Sequence, residues 1–391
     1  MTPTHSADSR RRFVQLLGGG AVFAATAPLA ACSAALPTSA TGPWAAAGGE
    51  TDLRRFILAH ALLAPNPHNR QPWIADLSVP DHITLVCDGE RLLPETDPFG
   101  RQILVGCGAF VELAVIAAAQ RGVAVEVTAF PAGAPAAQAL PAGTVVATLR
   151  LGAPGSASAD PLFTQITRRH THKGAYATDR ALPPGLAAQW AGIATRFGLT
   201  AGVIDDPAAM APLRRLTREA YEIEALTPRT WLESARLMRI GPAAIAEHRD
   251  GISINGTMPR MLHALGLFDP MEVPTRASSG FKQVMDRWAN FETCSAYLWL
   301  AASAPGRATQ LAAGRAWARL QLQATAVGIS LHPLSQALQE FAEMRGPYQA
   351  LHRALGRDAA QAPVQMFARA GFGLEPAAPS PRRELGSLLK A

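Results

Sequence analysis

The chain has 391 residues, 48% of them hydrophobic and 17% charged, and a formal net charge of +6. This composition is ample for a packed core in one large or two ordinary domains and excludes a disordered chain. The positive charge is weak and forms no long basic run, which argues against nucleic-acid binding. No stretch after residue 32 reaches the ~18 uninterrupted apolar residues of a membrane span.

Residues 1–32 read as an export signal: "SRRRFVQLL" supplies a basic start and "GGGAVFAATAPLAAC" an apolar run ending in small residues. The paired Arg10 and Arg11, with Phe13 beyond, resemble the twin-arginine type, which carries proteins already folded and so suggests a cofactor acquired in the cytoplasm. Leu29-Ala30-Ala31-Cys32 resembles a lipobox, in which Cys32 would be lipidated, and an ordinary cleavage near "ALPTSA" is the competing reading. Either way the expected location is periplasmic or lipid-anchored in the cell envelope, with membrane contact only through such an anchor.

Residues 33–50 are small and rich in Pro and Gly, and are expected to be a linker. From Thr51, "TDLRRFILAHALLA" places Leu53, Phe56, Ile57, His60 and Ala64 near helical spacing, closed by Pro65. The next stretch, "WIADLSVPDHITLVCD", alternates around Pro80-Asp81 as a β-hairpin does. A helix from Gly106 carries Phe110, Leu113, Ala114 and Ala117 on one stripe, stops at Gly122 and leads into the alternating Val123, Val125 and Val127. The same grammar returns from Ala313, with Ala318, Leu322 and Ala326 on a face, a stop at Gly328, and Ile329 and Leu331 alternating. The expectation is therefore α+β architecture in two copies of one unit, 51–158 and 159–391, the second carrying an insert at about 215–283. An insert of that length is either a surface elaboration or a lid. Cys87, Cys107 and Cys294 have spacings that fit neither a disulfide framework nor a zinc site, and are expected in the core.

In "RRHTHKG", residues 168–174, Arg169, Thr171 and Lys173 alternate, so an extended backbone would aim two cations and a hydroxyl at one point. That set suits a phosphate monoester, although a solvated basic loop fits the heptad as well. His170 and His172 would face the other way and lack a third ligand nearby, so no metal site is expected. The loop "APNPHNRQPW", residues 64–73, is stiffened by Pro65, Pro67 and Pro72 and suits holding something flat. Near the C-terminus Arg382 and Arg383 follow a strand-like "VQMFARAGFG".

Together "APNPHNRQPW", "RRHTHKGAY" and "PSPRREL" resemble the nitroreductase superfamily of FMN flavoproteins, specifically its Acg-like branch, in which two nitroreductase units are fused in one chain. The resemblance covers residues 51–391 and implies a nitroreductase-like fold arranged as a pseudo-dimer. It implies that Arg169, Thr171 and Lys173 hold the FMN phosphate, with Lys173 where the family usually has a second Arg, and that Arg382 and Arg383 are its C-terminal basic pair. Pro67, His68 and Asn69 would line the flavin ring, the Asn69 amide serving its pyrimidine edge, with Gln71 following. Trp73 is equally a flavin contact or core packing. Where the family has a Pro-x-Glu-Gly turn, this chain has Pro333, Leu334, Ser335 and Gln336, which removes both a charge and a Gly from the pocket.

The first unit lacks the phosphate motif and the second lacks the Pro-rich loop, so one FMN per monomeric chain is expected. The implied function is an FMN-dependent oxidoreductase passing reducing equivalents from a small-molecule donor to a nitroaromatic or quinone-like acceptor, with no side chain assigned a catalytic role. The alternative is a non-enzymatic protein that sequesters FMN beneath a lid, since NAD(P)H is a cytoplasmic reductant.

Overall fold

A computed structural model describes residues 35–136 and 139–390. The export signal and Cys32 lie outside the described residues. The segment expected as a linker instead carries helix α1 (Thr38–Ala46) and a 3-10 turn. Trp44 is the reason: its ring is buried, its indole N–H donates to Ser380 O at 2.8 Å, and Ala40 O accepts the Arg382 N–H at 2.8 Å. One large aromatic outweighs the coil preference of its Pro- and Gly-rich surroundings.

Asp52 caps α2 (Leu53–Ala61), its carboxylate accepting the Arg55 N–H at 2.9 Å, and Phe56, Ile57 and Leu58 turn inward. The hairpin expected around Pro80-Asp81 forms from β1 (Trp73–Asp76) and β2 (His82–Cys87), with Asp81 left-handed at φ 57°. Then come α3 (Arg101–Gln120), a stop at Gly122, β3 (Val123–Ala129) and β4 (Val145–Pro154). The strands form an antiparallel sheet in the order β1-β2-β4-β3.

The second unit opens with α4 (Leu186–Thr195) and β5 (Leu199–Ile204). A long excursion follows, through α5 (Pro207–Leu226), α6 (Pro228–Arg236), β6 (Met238–Ile240), α7 (Gly241–His248), β7 (Ile252–Ile254), α8 (Thr257–Ala264) and α9 (Ser279–Phe291). It spans 205–295, wider than the expected 215–283, because its first and last helices reach almost to the flanking strands. The unit resumes with β8 (Ala296–Ala302), α10 (Arg307–Ala326), β9 (Ser330–Pro333), α11 (Arg345–Ala354) and β10 (Val364–Gly371). Its antiparallel sheet runs β5-β8-β10-β9, so the second unit repeats the first strand for strand. The architecture is α+β and internally duplicated.

Every residue of β10 is buried. Met366, Ala368 and Ala370 pack toward α10, while Val364 and Phe367 pack with Trp288, Phe291 and Leu351 of the insert and α11. A strand covered on both faces has no solvent side to present, and its two polar side chains, Gln365 and Arg369, are buried as well, Arg369 donating to Thr293 O and Gly174 O at 3.1 and 2.8 Å. The extreme C-terminus crosses back to the first unit, where Leu388 enters the core and Lys390 N donates to Ala75 O at 2.9 Å. Cys87, Cys107 and Cys294 are all buried and unpaired.

The two units meet along α3 and α10 with twofold correspondence. Arg101, Gly108 and Gly122 stand to α3 as Arg307, Gly314 and Gly328 stand to α10. A side chain at Gly108 would strike Leu311 O, and one at Gly314 would strike Val105 O, which occupies the matching position. The arginines are exchanged in the same sense: Arg101 donates to Leu338 O and Gln365 O of the second unit at 2.6 and 2.7 Å, and Arg307 to Phe99 O and Ala136 O of the first. Such reciprocity is the signature of an isologous dimer interface retained within one chain. Gly314→Val should accordingly cost about 3 kcal/mol, the upper end of overpacking penalties, because backbone rather than a flexible side chain must move. A urea midpoint equal to that of wild type would show that the helices separate freely.

Candidate functional site

The loop 64–73 owes its shape to left-handed backbone as much as to proline: His68, Asn69 and Gln71 have φ of 47°, 50° and 51°. Side chains hold these unusual conformations in place. Asn66 Oδ1 accepts the Gln71 N–H at 2.7 Å, and buried Gln71 donates to Arg249 O at 2.8 Å while accepting the Arg383 N–H at 2.9 Å. Asn69 donates to Pro381 O at 3.0 Å and accepts from Arg382 Nη1 at 2.7 Å. The amide expected at a ring edge is thus engaged at both ends by the C-terminal tail. Trp73 is fully buried against Phe110, in the core.

Arg382 is buried beneath the end of α2, where its donors meet Leu62 O, Leu63 O and Ala64 O at 2.9 to 3.0 Å, together with Asn69, Ser380 and Pro381. A guanidinium has five N–H groups, and these contacts use them all. Arg382 therefore caps a helix C-terminus, where the dipole favours a cation. Burial, with Arg169 adding to it, holds its pKa well below the ordinary value. Arg383 likewise spends its donors on Gln71 O, Ser387 O and Ser387 Oγ. The pair that the resemblance places at a phosphate ties the Pro-rich loop to the tail through Asn69 and Gln71.

The segment from Arg169 to Lys173 divides. Arg169 is 3% exposed and donates to Gln321 Oε1 at 2.8 Å and Leu63 O at 2.9 Å, while its Nε is buried with no partner. Trp44 covers both guanidinium groups, its ring centre 5.6 Å from Arg169 Cζ and 5.1 Å from Arg382 Cζ. Burial lowers Arg169 to about 10. His170 meets the Trp44 ring edge-on at 4.7 Å, and burial followed by Arg169 and Arg382 pushes it down to about 4. His172 turns to Glu375 O at 2.6 Å. Thr171 is half-buried.

Lys173 is solvent-exposed, yet surrounding protein lowers its ammonium to about 8, with nearby Arg287 adding to the shift. The place that Lys173 occupies, open to water and crowded by protein, has the character of a recess. Among the described residues Lys173 makes no salt bridge.

His68 shares that recess. Burial, then Lys173 and Arg70, push it down to about 4, and its Nε2 lies 3.0 Å from Ser234 Oγ and 4.0 Å from Glu224 Oε1. Glu224 Oε2 is buried without a partner; burial raises the carboxyl to about 7, against the pull of the Gln336 and Gln339 amides. After β9, buried Leu334 bonds Phe367 O at 2.9 Å, whereas Pro333, Ser335 and Gln336 stay half-buried at the rim. No residue from 333 to 339 has positive φ, so this turn does not require the missing Gly.

The recess thus gathers His68 from the first unit, Lys173 and Gln336 from the second, and Glu224, Ser234 and Arg287 from the insert. Sequence reasoning missed the last three. They sit in amphipathic helices whose polar faces carry no signal separating a site from solvent.

No family model matches the sequence. A solved FMN- and NADPH-dependent nitroreductase mutant from sphigopyxis sp. strain HMH aligns over 59% of this chain and 99% of its own, at 16% identity and a TM-score of 0.38. The FMN-dependent nitroreductase of Mycobacterium smegmatis, solved with NADPH, covers 57% and 94% at 17% identity and a TM-score of 0.33. The acg protein of Mycobacterium tuberculosis, provisionally named an NAD(P)H nitroreductase, is 39% identical over 84 residues, 21% of this chain and 24% of its own length. A second protein of that organism, provisionally given the same name, is 26% identical over 352 residues, 86% of this chain and 90% of its own length. This chain is thus similar over most of its length to a protein named as a nitroreductase, which supports the nitroreductase superfamily.

Proposed function

We propose that the chain is an FMN-dependent oxidoreductase of the nitroreductase type, taking electrons from a small-molecule donor and passing them to a nitroaromatic or quinone-like acceptor. One observation carries this reading: buried Arg169 keeps an unpartnered Nε, and Thr171 and Lys173, at alternate positions beyond it, add a hydroxyl and an ammonium. An orphaned buried cationic donor is costly and fits an anion that the protein does not itself supply. Arg169, Thr171 and Lys173 would hold the phosphate, and Pro67, His68, Ser335 and Gln336 would border the ring.

FMN, when bound, supplies the hydride and electron chemistry, and the chain's residues bind and orient it. His68 is neutral at pH 7 and does not add to the positive charge of Lys173. Glu224, near 7, holds a proton at its carboxyl for part of the time and is placed to give it up at the wall of the recess. The visible spectrum of purified protein, with FMN identified after denaturation, tests the cofactor. Bleaching by NADH or NADPH tests turnover.

The insert wall favours a second reading, in which Glu224, Ser234 and Arg287 close over FMN and the protein only stores it. Bleaching by dithionite but by neither nicotinamide would support that reading.

We also propose that the chain is exported by the twin-arginine route. Arg10→Lys with Arg11→Lys should leave the precursor in the cytoplasm, because Lys is not equivalent to Arg at a site that reads guanidinium groups. Normal export of this variant in cell fractionation would exclude the route.

A further inference from the structure

Helix α8 (Thr257–Ala264) buries none of its residues. Met258, Met261 and Leu265 recur at helical spacing along one stripe and are 57%, 47% and 60% exposed. Leu267 and Met271 extend the same segment at 62% and 43%. Five of the nine large hydrophobic side chains exposed among the described residues are thus concentrated in 14 consecutive residues, whereas exposed apolar residues are ordinarily scattered. Arg260 and His263 lie between them, lining an open cleft of about 460 Å³ with Met261.

A second observation brings the N-terminal segment close to this face. The described chain begins at Ala35, whose carbonyl accepts from Asn255 Nδ2 at 3.2 Å, two residues before α8. Cys32 is three residues earlier, a span of at most roughly 10 Å, and is preceded by the apolar run that begins at Phe13. If Cys32 carries a lipid or the apolar run is retained, the point of membrane attachment is tethered within about 20 Å of the start of α8, and the inference rests on that reading of the N-terminus rather than on cleavage near Ala35.

We propose that the α8 face, Met258, Met261, Leu265, Leu267 and Met271, is a bilayer-docking surface that lies in the lipid interface and holds the protein against the membrane. An apolar stripe flanked by Arg and His has the character of an interfacial helix, with the basic groups at headgroup level. This inference is independent of the flavin reading, and its failure would leave that reading intact.

The test uses the full chain with a genetically encoded, environment-sensitive fluorescent residue at position 265, and separately at exposed Val327 on the end of α10 as a control. Vesicles of phosphatidylethanolamine and phosphatidylglycerol, with and without nitroxide-labelled acyl chains, are added. The expected result is a blue shift and nitroxide quenching at 265 on vesicle addition, with neither at 327. Unchanged emission at 265 on vesicle-bound protein overturns the proposal, as does failure to bind vesicles. A blue shift at 265 before vesicles are added also overturns it, because the chain's own segment or a second copy would then cover the face. Amide exchange across 257–271 gives a label-free check: vesicles should slow it severalfold, and unchanged exchange counts against docking.

Discussion

Arg382→Ala should destabilise the protein by about 3 kcal/mol, the effect of removing a buried cation that meets the Leu62, Leu63 and Ala64 carbonyls at the end of α2. Each buried acceptor left without a partner costs roughly 1–3 kcal/mol, and water entering the vacated space recovers part of that. The tail also loses its hold on Asn69, so the 64–73 loop should loosen with it. Arg383→Ala serves as the comparison: its side chain is half-buried and bonds chiefly to the exposed Ser387, so about 1 kcal/mol is expected. Urea midpoints of each variant, with and without saturating FMN, separate the two possible roles of Arg382. A capping role lowers both midpoints equally. A phosphate-binding role lowers the FMN-saturated midpoint alone, and that result would restore the assignment that the resemblance implied.

The duplication was legible because its punctuation is local. Gly122 and Gly328 each end a helix with positive φ and release an alternating strand, and no tertiary contact is needed to see that. The twofold contact of Gly108 with Gly314 was not legible, because a glycine that permits helix approach looks the same in sequence as one in a loop. Lys173 was expected from its motif, and in the structure it is solvent-exposed while surrounding protein lowers its pKa to about 8. The contacts of Arg382 and Arg383 were not legible, because a basic pair reads alike whether its partner is a phosphate or the carbonyls of a distant helix. Trp44 shows the converse: composition over 33–50 averages one aromatic against many small residues, but burial is decided by that aromatic. Glu224 and Arg287 reach the recess only because the insert folds back across it, a placement that no local pattern encodes.

Lys173→Met should weaken FMN binding ten- to a hundredfold and leave riboflavin affinity unchanged, since a charge-assisted bond to a phosphate contributes about 1.5–3 kcal/mol and riboflavin has no phosphate. Arg169→Ala should also erase the preference for FMN, with some loss of stability, because Gln321 Oε1 and Leu63 O lose a donor. Asn69→Ala should weaken both flavins alike, because its amide braces the loop and not the phosphate. The pH dependence is more specific to Lys173. Its ammonium, lowered to about 8 in the free protein, is already protonated at pH 7, so FMN binding there needs no proton uptake. A bound phosphate dianion favours the charged form and raises this pKa, so above pH 8 binding must draw a proton onto Lys173. FMN affinity should therefore fall by up to about tenfold per pH unit above 8, until the pKa of the bound form is reached. Riboflavin affinity should stay level across the same range, and in Lys173→Met the slope for FMN should vanish. Fluorescence titrations of apoprotein at pH 7, 8 and 9 measure all of this. A slope that persists in Lys173→Met would assign the titration to another group and remove Lys173 from the phosphate site.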